Sequence, residues 1–276
     1  MRTPPPSDQT EEEARIQATF DVVAEGYDHP SAAWFDKTAH AIVRLADLRP
    51  GMEVLDLATG TGKVALALAE VEPEARVLGV DLSHGMLARA RDKASTQGLT
   101  NVSFAQGTFD TLAYGERFDL VTCSFGIFFV SRMEEALSRL LAQARPAGRV
   151  IASTFAWGAF SPFTDAFMEL YREYGFPTPP APWLRIASAE TFTGLFRDAG
   201  MPATTVREYD FGFALPHPEA WWEIVYNAGY RGLLQRLSPE DAPTFKERHL
   251  AQVSDLLRAG QRHLDVRVLI AEGTKG

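Results

Sequence analysis

The chain has very little cysteine: Cys123 is the only one among 276 residues. A single thiol excludes an intrachain disulfide and a cysteine-rich zinc site, so we expect no metal. We interpret Cys123 as a small apolar residue buried in a strand. No apolar run approaches the roughly 18 residues that a membrane span needs, and the N-terminus lacks the apolar segment of a signal peptide. These absences predict a cytoplasmic protein without a membrane span.

Basic residues are also too few for a nucleic-acid partner. The 27 Lys and Arg residues face 36 Asp and Glu residues, which gives a formal net charge of −9. Binding to phosphates requires a basic surface, so we expect no nucleic-acid partner. The hydrophobic content of 46% supplies the core of one large domain. Composition leaves the oligomeric state open, including a homodimer.

The most informative segment is residues 53–62, which read Glu-Val-Leu-Asp-Leu-Ala-Thr-Gly-Thr-Gly. Its first half is an apolar run typical of a strand buried on both faces of a parallel sheet. Gly60 and Gly62 then allow the backbone to approach a ligand closely. The helix expected next directs free N–H groups and the positive end of its dipole at that ligand. This segment therefore predicts a site for a nucleotide-like ligand.

Two cofactors suit this glycine-rich turn. Gly60-x-Gly62-x-x-Ala65 satisfies a relaxed dinucleotide fingerprint, and Asp81 lies at the distance expected for a ribose-binding acid. Asp56 favours the other cofactor, S-adenosylmethionine (SAM). Its carboxylate is expected to face the same crevice, where it would repel a pyrophosphate and attract the cationic ammonium and sulfonium groups of SAM.

From residue 56 onwards the chain resembles the class I SAM-dependent methyltransferases, and in particular the relatives of the ubiquinone/menaquinone-biosynthesis C-methyltransferases. The first motif reads Asp56-Leu-Ala58-Thr-Gly60-Thr-Gly62, with Ala58 where the family usually has glycine. Later segments match the second to fifth strands in the family's order, up to Thr154. The resemblance implies an α/β fold: a doubly wound, Rossmann-like sheet of seven mostly parallel strands, with a helical cap.

The resemblance also implies which residues bind SAM. Asp81 would bind the ribose, Met86 would pack against the adenine, and Thr108 stands where the family usually has an acid for the adenine amino group. Tyr27 lies in a segment that helps to close over SAM, and its ring would stabilise the sulfonium by about 0.5–2 kcal/mol. The expected cofactor-binding residues are Tyr27, Asp56, Ala58, Thr59, Gly60, Gly62, Asp81, Leu82, Met86, Gly107, Thr108, Phe109 and Ser124.

The remaining sequence patterns divide the chain into six regions. Residues 1–10 are proline-rich and polar, which predicts a disordered tail. The other five regions are N-terminal helices that close over the cofactor (11–50), the SAM-binding core (51–155), the rest of the core with an insertion on the acceptor side (156–213), a helical cap (214–263) and the last strand (264–276).

Aromatic residues outside the cofactor half favour an apolar or aromatic small-molecule acceptor. An aromatic stripe at helical spacing is also typical of the cap's own core, so the cap residues leave both interpretations open. Phe128 and Phe129 have the better position, because acceptors in this fold lie beyond the fourth strand at the switch-point crevice. The expected acceptor-binding residues are Phe128, Phe129, Trp157 and Trp222.

Methyl transfer from SAM mainly requires alignment and exclusion of water. A general base is needed only if the acceptor must lose a proton. His29 is the candidate base, with His217 second. No Asn-Pro-Pro-Tyr motif follows the fourth strand, which argues against nucleobase or glutamine nitrogen as the acceptor and favours carbon or oxygen.

We therefore predict a SAM-dependent methyltransferase of small molecules. An NAD(P)-dependent oxidoreductase is one alternative, although no tyrosine is followed four residues later by the lysine that short-chain dehydrogenases use. A non-catalytic SAM-binding protein is the other, because the first motif would survive the loss of transfer.

Overall fold

A computed structural model of the protein describes residues 11–276, and the tail predicted at 1–10 lies outside this range. The helices are α1 Glu11–Val23, α2 Trp34–Ala46, α3 Lys63–Val71, α4 His84–Thr96, α5 Met133–Leu141, α6 Phe163–Glu173, α7 Ala189–Asp198, α8 Pro218–Asn227, α9 Arg231–Leu234 and α10 Asp241–Arg258. The strands are β1 Glu53–Leu57, β2 Arg76–Asp81, β3 Val102–Gln106, β4 Phe118–Ser124, β5 Ala144–Phe155, β6 Thr204–Asp210, β7 Phe213–Ala214, β8 His263–Leu264 and β9 Arg267–Thr274.

Seven strands form one sheet in the order β3-β2-β1-β4-β5-β9-β6, and β7 pairs with β8 in a separate ribbon. β1 runs parallel to β2 and β4, whereas β9 runs antiparallel to β5 and β6. The predicted fold, a seven-stranded and mostly parallel sheet, is therefore confirmed. Strand order reverses between β1 and β4, and such a switch point opens a crevice at the carboxyl ends of the strands.

The central strands are apolar because helices cover the sheet. Every residue from Phe118 to Cys123 in β4 is buried. Burial also raises the pKa of the Cys123 thiol well above its usual range, which agrees with its interpretation as a core residue. At the edge of this core, α1 packs on α4 and α2 packs on α3. This packing brings the N-terminal helices next to the crevice.

The helices α6, α8 and α10 pack together into a cap that has an aromatic core of its own. The fully buried Trp221 donates from Nε1 to Nε2 of His249 at 2.7 Å, and the ring of Phe167 packs edge-on to that imidazole. Burial lowers the pKa of His249 to about 4, so the ring is neutral and accepts this bond. Among the described residues, no helix combines the length and apolar character needed to cross a bilayer.

Candidate cofactor and acceptor site

The turn after β1 adopts left-handed backbone conformations that suit glycine. Gly60 has φ +55°, and Gly62, which immediately precedes α3, has φ +83°. Ala58 also has φ +55°, a conformation that costs a residue with a Cβ about 1–2 kcal/mol. Short or absent side chains at all three positions allow a ligand to approach the backbone of the turn.

Asp81, at the end of β2, supports this turn from one side. Its Oδ2 accepts a hydrogen bond from the Gly60 N–H at 2.7 Å, and its Oδ1 accepts one from the Ser83 N–H at 2.9 Å. Burial raises the pKa of Asp81, and the nearby Asp21 carboxylate adds to the shift, although the backbone N–H donors oppose it. Each carboxylate oxygen keeps a further lone pair, which is the chemistry needed to accept from ribose hydroxyls.

Asp56 does not face the crevice, contrary to the prediction. Its side chain is buried, with Oδ2 accepting from the Thr59 hydroxyl and Oδ1 from the Thr122 hydroxyl, each at 2.6 Å. Burial raises the pKa of Asp56 to about 6, against the opposing effect of these two bonds, and the charge of Asp81 raises it further. The carboxylate therefore holds the turn to β4 through Thr59 and Thr122 and makes no direct contact with the cavity.

A cavity of about 330 Å³ opens at the carboxyl ends of β1 to β4. Most of the predicted cofactor residues line it, together with one predicted acceptor residue: Tyr27, Ala58, Gly60, Asp81, Leu82, Met86, Gly107, Thr108, Phe109, Ser124 and Phe129. Segments that are far apart in the sequence thus converge on one space. It has the position expected for a cofactor in a doubly wound fold.

Thr59 and Gly62 lie outside the cavity wall for separate reasons. The Thr59 hydroxyl is used by Asp56. At Gly62 a Cβ would lie 3.1 Å from the Ala90 Cβ, so glycine there allows α3 and α4 to approach each other. Both residues shape the turn without lining the cavity, which corrects their predicted role as direct contacts.

One face of α1 covers the cavity. The sequence predicted N-terminal helices over the cofactor, but none of the α1 residues that line the cavity was among the predicted site residues. Four residues of this face line the cavity: Glu13, Ile16, Gln17 and Phe20. Their spacing of three, four and seven residues is that of a single helix face. The helical spacing of these four residues was present in the sequence. Two of them are polar, however, so they do not form an apolar stripe that would identify the face. Beyond the helix, Tyr27 stacks on Phe35 with ring centroids 5.0 Å apart.

The charges around the cavity favour a cationic ligand. Among the described residues that line it, the acids Glu13, Asp81, Asp110 and Glu135 outnumber the single base, Arg132. Arg132 is itself paired with Glu135 at 2.8 Å. A negative wall attracts the positive charges of SAM and repels a pyrophosphate. The dinucleotide alternative therefore has no electrostatic support here.

Thr108 uses its hydroxyl within its own loop. The Thr108 Oγ1 accepts from the Asp110 N–H at 3.1 Å and caps the short turn at Phe109–Thr111. The Asp110 carboxylate lines the same cavity two residues later and forms an ion pair with Arg139. An acid is therefore present on this wall, although not at the position where the resemblance led us to expect it.

His29 is not placed as a base. Its Nδ1 accepts from the Ser31 N–H at 3.2 Å and lies 2.9 Å from the Ser31 hydroxyl, so the ring caps the turn at Pro30–Ala32. All six histidines fall within residues 11–276, and none of them lines the cavity. His217, the second candidate, is exposed beside Glu219. The prediction of a histidine base is therefore not supported.

Three of the four predicted acceptor residues lie away from the cavity. Phe128 is buried against Phe155, because successive residues of a tight turn point in different directions and only Phe129 faces the cavity. Trp157 follows β5 and is 67% exposed. Trp222 belongs to the cap, where the Lys246 Nζ lies 5.4 Å from the centre of its ring.

Comparisons with known proteins agree with this geometry. A family model described as a methyltransferase domain matches residues 48–199. The chain is 29% identical over 234 residues to the demethylmenaquinone methyltransferase of Bacillus cytotoxicus, which is 76% of this chain and 96% of that protein.

Two solved structures illustrate the likeness in fold. The Haemonchus contortus phosphoethanolamine N-methyltransferase 2 in complex with SAM has a TM-score of 0.60 at 17% identity, covering 98% of this chain and 61% of that one. The [4+2]-cyclase SpnF has a TM-score of 0.60 at 20% identity, covering 100% of both chains. The fold is thus shared with proteins of different reactions, and the acceptor has to be inferred from the site.

Proposed function

Since this chain belongs to the class I SAM-dependent methyltransferases, we propose that it transfers the methyl group of SAM to an apolar or aromatic small molecule bound beside the cofactor under α1. The observation that carries this proposal is the apolar part of the cavity wall, formed by Ile16, Phe20, Phe129 and Val130. Phe20 and Phe129 meet edge to face with centroids 5.0 Å apart. Aromatic walls with few polar groups are typical of sites for apolar ligands.

In this proposal SAM lies across the ends of β1 to β3. Asp81 accepts from the ribose hydroxyls, Phe109 and Met86 enclose the adenine, and the backbone at Gly60 lies against the amino-acid end. Tyr27 covers the sulfonium. Burial raises the pKa of the Tyr27 phenol above its usual range, and the Asp81 and Asp28 carboxylates raise it further, so the phenol stays neutral. A neutral aromatic ring stabilises a cation without providing a base.

Methyl transfer requires the protein mainly to align the two reactants and to exclude water. The sulfonium supplies the leaving group, and the methyl carbon is attacked in line by a carbon or oxygen atom of the acceptor. The cavity residues exclude water and hold the two molecules in line. The described wall has no histidine, and an acceptor whose own ring is ionised would supply the nucleophile without a histidine base. The quinone named in the Bacillus relative supports this class of acceptor.

An acceptor screen tests the proposal. Purified protein is incubated with SAM and with quinols, phenols, amines or nucleosides, and release of S-adenosylhomocysteine (SAH) is measured. We expect turnover with quinols or phenols. Phe129→Ala should raise the acceptor KM several-fold while the SAM KM changes little, because its ring packs on the acceptor side. Leu184→Ala is the matched control, since Leu184 is 41% exposed against 38% for Phe129 and lies outside the cavity.

Preferential turnover of amines or nucleosides would contradict the proposed acceptor class. Tight SAM binding without turnover of any acceptor would favour the non-catalytic alternative.

A further inference from the structure

A single carboxylate connects the N-terminal segment, residues 11–28, to the glycine-rich turn. Asp28 Oδ1 accepts from the Thr61 hydroxyl at 2.7 Å. The same oxygen lies 3.1 Å from the Lys63 Nζ, and Oδ2 lies 2.9 Å from the Lys93 Nζ. Asp28 therefore contacts the turn itself, the first residue of α3 and the last turn of α4. It directly follows Tyr27, which lines the cavity.

The carboxylate is held in its charged form. Burial opposes ionisation of Asp28, but the hydrogen bonds from Lys93 and Thr61 and the charges of Lys93 and Lys63 outweigh burial and lower its pKa. Lys63 is shared with Asp36 at 2.7 Å, on the more exposed side of the cluster. The contact with Thr61 is therefore a charge-assisted hydrogen bond, which is stronger than a neutral one.

Thr61 lies at a sensitive place in the turn. Thr61 is 1% exposed and does not line the cavity. Of its two neighbours, Gly60 lines the cavity and Gly62 immediately precedes α3. The N–H of Gly60 is fixed from the β2 side by Asp81. The turn is thus held from two sides, by Asp81 in the sheet and by Asp28 in the N-terminal segment.

A second attachment fixes the N-terminal segment seven residues earlier, near the C-terminal end of α1. Asp21 Oδ1 accepts from the Ser83 hydroxyl and from the Gly85 N–H, at 2.5 and 2.9 Å. A Cβ at Gly85 would lie 3.3 Å from the Ala24 Cβ, so α1 packs very closely on the start of α4. Acidic residues on both sides of Ala24 therefore hold α1 over the cavity.

We propose that Asp28 is a positioning residue that couples docking of the N-terminal segment to the shape of the glycine-rich turn. Loss of its bond to Thr61 loosens the cover and the turn together, so the bound cofactor dissociates faster. This inference rests on the proposed placement of SAM in the cavity. Asp28 and Thr61 would thereby increase cofactor affinity, although neither residue lines the cavity.

The test compares two changes of the same chemistry. Thr61→Val removes the hydroxyl that donates to Asp28 and keeps the branched shape. Thr38→Val is the matched control: Thr38 is also fully buried, but its hydroxyl donates to the Trp34 carbonyl inside α2 at 2.7 Å. Binding of SAH is measured by calorimetry, its dissociation rate by stopped flow, and stability by thermal unfolding.

We expect Thr61→Val to weaken SAH binding about tenfold, the usual effect of losing a hydrogen bond to a charged group, mainly through faster dissociation. Thr61→Ser keeps the hydroxyl and should restore the affinity to within about twofold. Thr38→Val should lower the unfolding temperature without changing the SAH affinity. In an Asp28→Ala background, Thr61→Val should have little further effect on binding.

An unchanged SAH affinity in Thr61→Val, or an equal loss in Thr38→Val, would overturn the coupling. Asp81→Asn distinguishes a failure of the coupling from an error in the placement of SAM. If Asp81→Asn weakens SAH binding and Thr61→Val does not, the placement stands and the coupling is wrong. If neither change affects SAH binding, the placement of the cofactor is wrong and the coupling falls with it.

Discussion

Asp56→Asn tests whether the buried carboxylate beneath the cofactor turn lowers the stability of the ligand-free protein. The amide has nearly the same shape as the carboxylate, and both threonine hydroxyls, at 2.6 Å, can rotate to pair with it. The substitution therefore removes a charge and leaves the packing of the β1 end in place. Asn and Asp also differ in the strength of their hydrogen bonds to the two threonines. That difference does not vary with pH, so it does not affect the change measured between two pH values.

The size of the effect follows from the pKa of Asp56. The value rises from 3.8 to about 6 in the folded protein, with burial as the main cause. At about 1.36 kcal/mol per pH unit, this shift makes the ionised side chain cost about 3 kcal/mol of folding free energy. The folded state holds this proton more tightly than the unfolded state, so the cost is absent below pH 4, grows between pH 4 and 6, and is complete above pH 6.

Urea unfolding of the two proteins at pH 4 and pH 8 measures this directly. We expect the difference in free energy of unfolding to move by about 3 kcal/mol in favour of Asp56→Asn between these values. Titrating groups that do not interact with Asp56 are common to both proteins and cancel; Asp81 is coupled to Asp56, and its response is part of the measured difference. A difference that stays constant with pH would refute the argument, because it would mean that Asp56 ionises in the folded state as easily as in the unfolded state.

Three further predictions concern other residues of the turn and its surroundings. Ala58→Gly should raise the free energy of unfolding in urea by up to about 1 kcal/mol, because glycine adopts φ +55° without steric cost. Gly126→Ala should lower it by about 1–3 kcal/mol, since the new Cβ would lie 2.4 Å from the Ala58 Cβ; adding Ala58→Gly should restore part of the loss, and purely additive effects would contradict this contact. His29→Ala should leave kcat and its pH profile unchanged while the loss of its cap costs about 1 kcal/mol in thermal unfolding; loss of one limb of the pH profile would instead make His29 a base.

The sheet and the cofactor turn were predictable because their signals are local. The apolar run of β1, the glycines after it and Asp81 at the end of β2 lie within thirty residues, and their order specifies the fold. Ala58 stands where the resemblance leads one to expect glycine, and it adopts a left-handed conformation that glycine reaches without steric cost. Sequence patterns within a short segment were sufficient to predict β1, the glycine-rich turn and β2.

The sequence predicted N-terminal helices over the cofactor, but not the contacts that hold them there, because these contacts join residues distant in sequence. Asp21 meets Ser83 across 62 residues, and Asp28 meets Thr61 across 33. Nothing in the pattern of α1 distinguishes these acids from solvated surface residues. Similarly, the direction of a side chain within a short turn separates Phe128 from Phe129, and sequence spacing cannot give that direction.

The acids beneath and around the turn connect stability to ligand choice. Burial raises the pKa of both Asp56 and Asp81, and the charge of Asp81 adds to the shift at Asp56. In the proposed placement, the sulfonium of bound SAM would oppose this effect, because a nearby cation favours the ionised forms that burial disfavours. SAM carries a sulfonium charge that SAH lacks, so the site gains more from SAM than from its product. If SAM binds as proposed, we therefore expect the charge that destabilises the free protein to favour binding of the substrate over retention of the product.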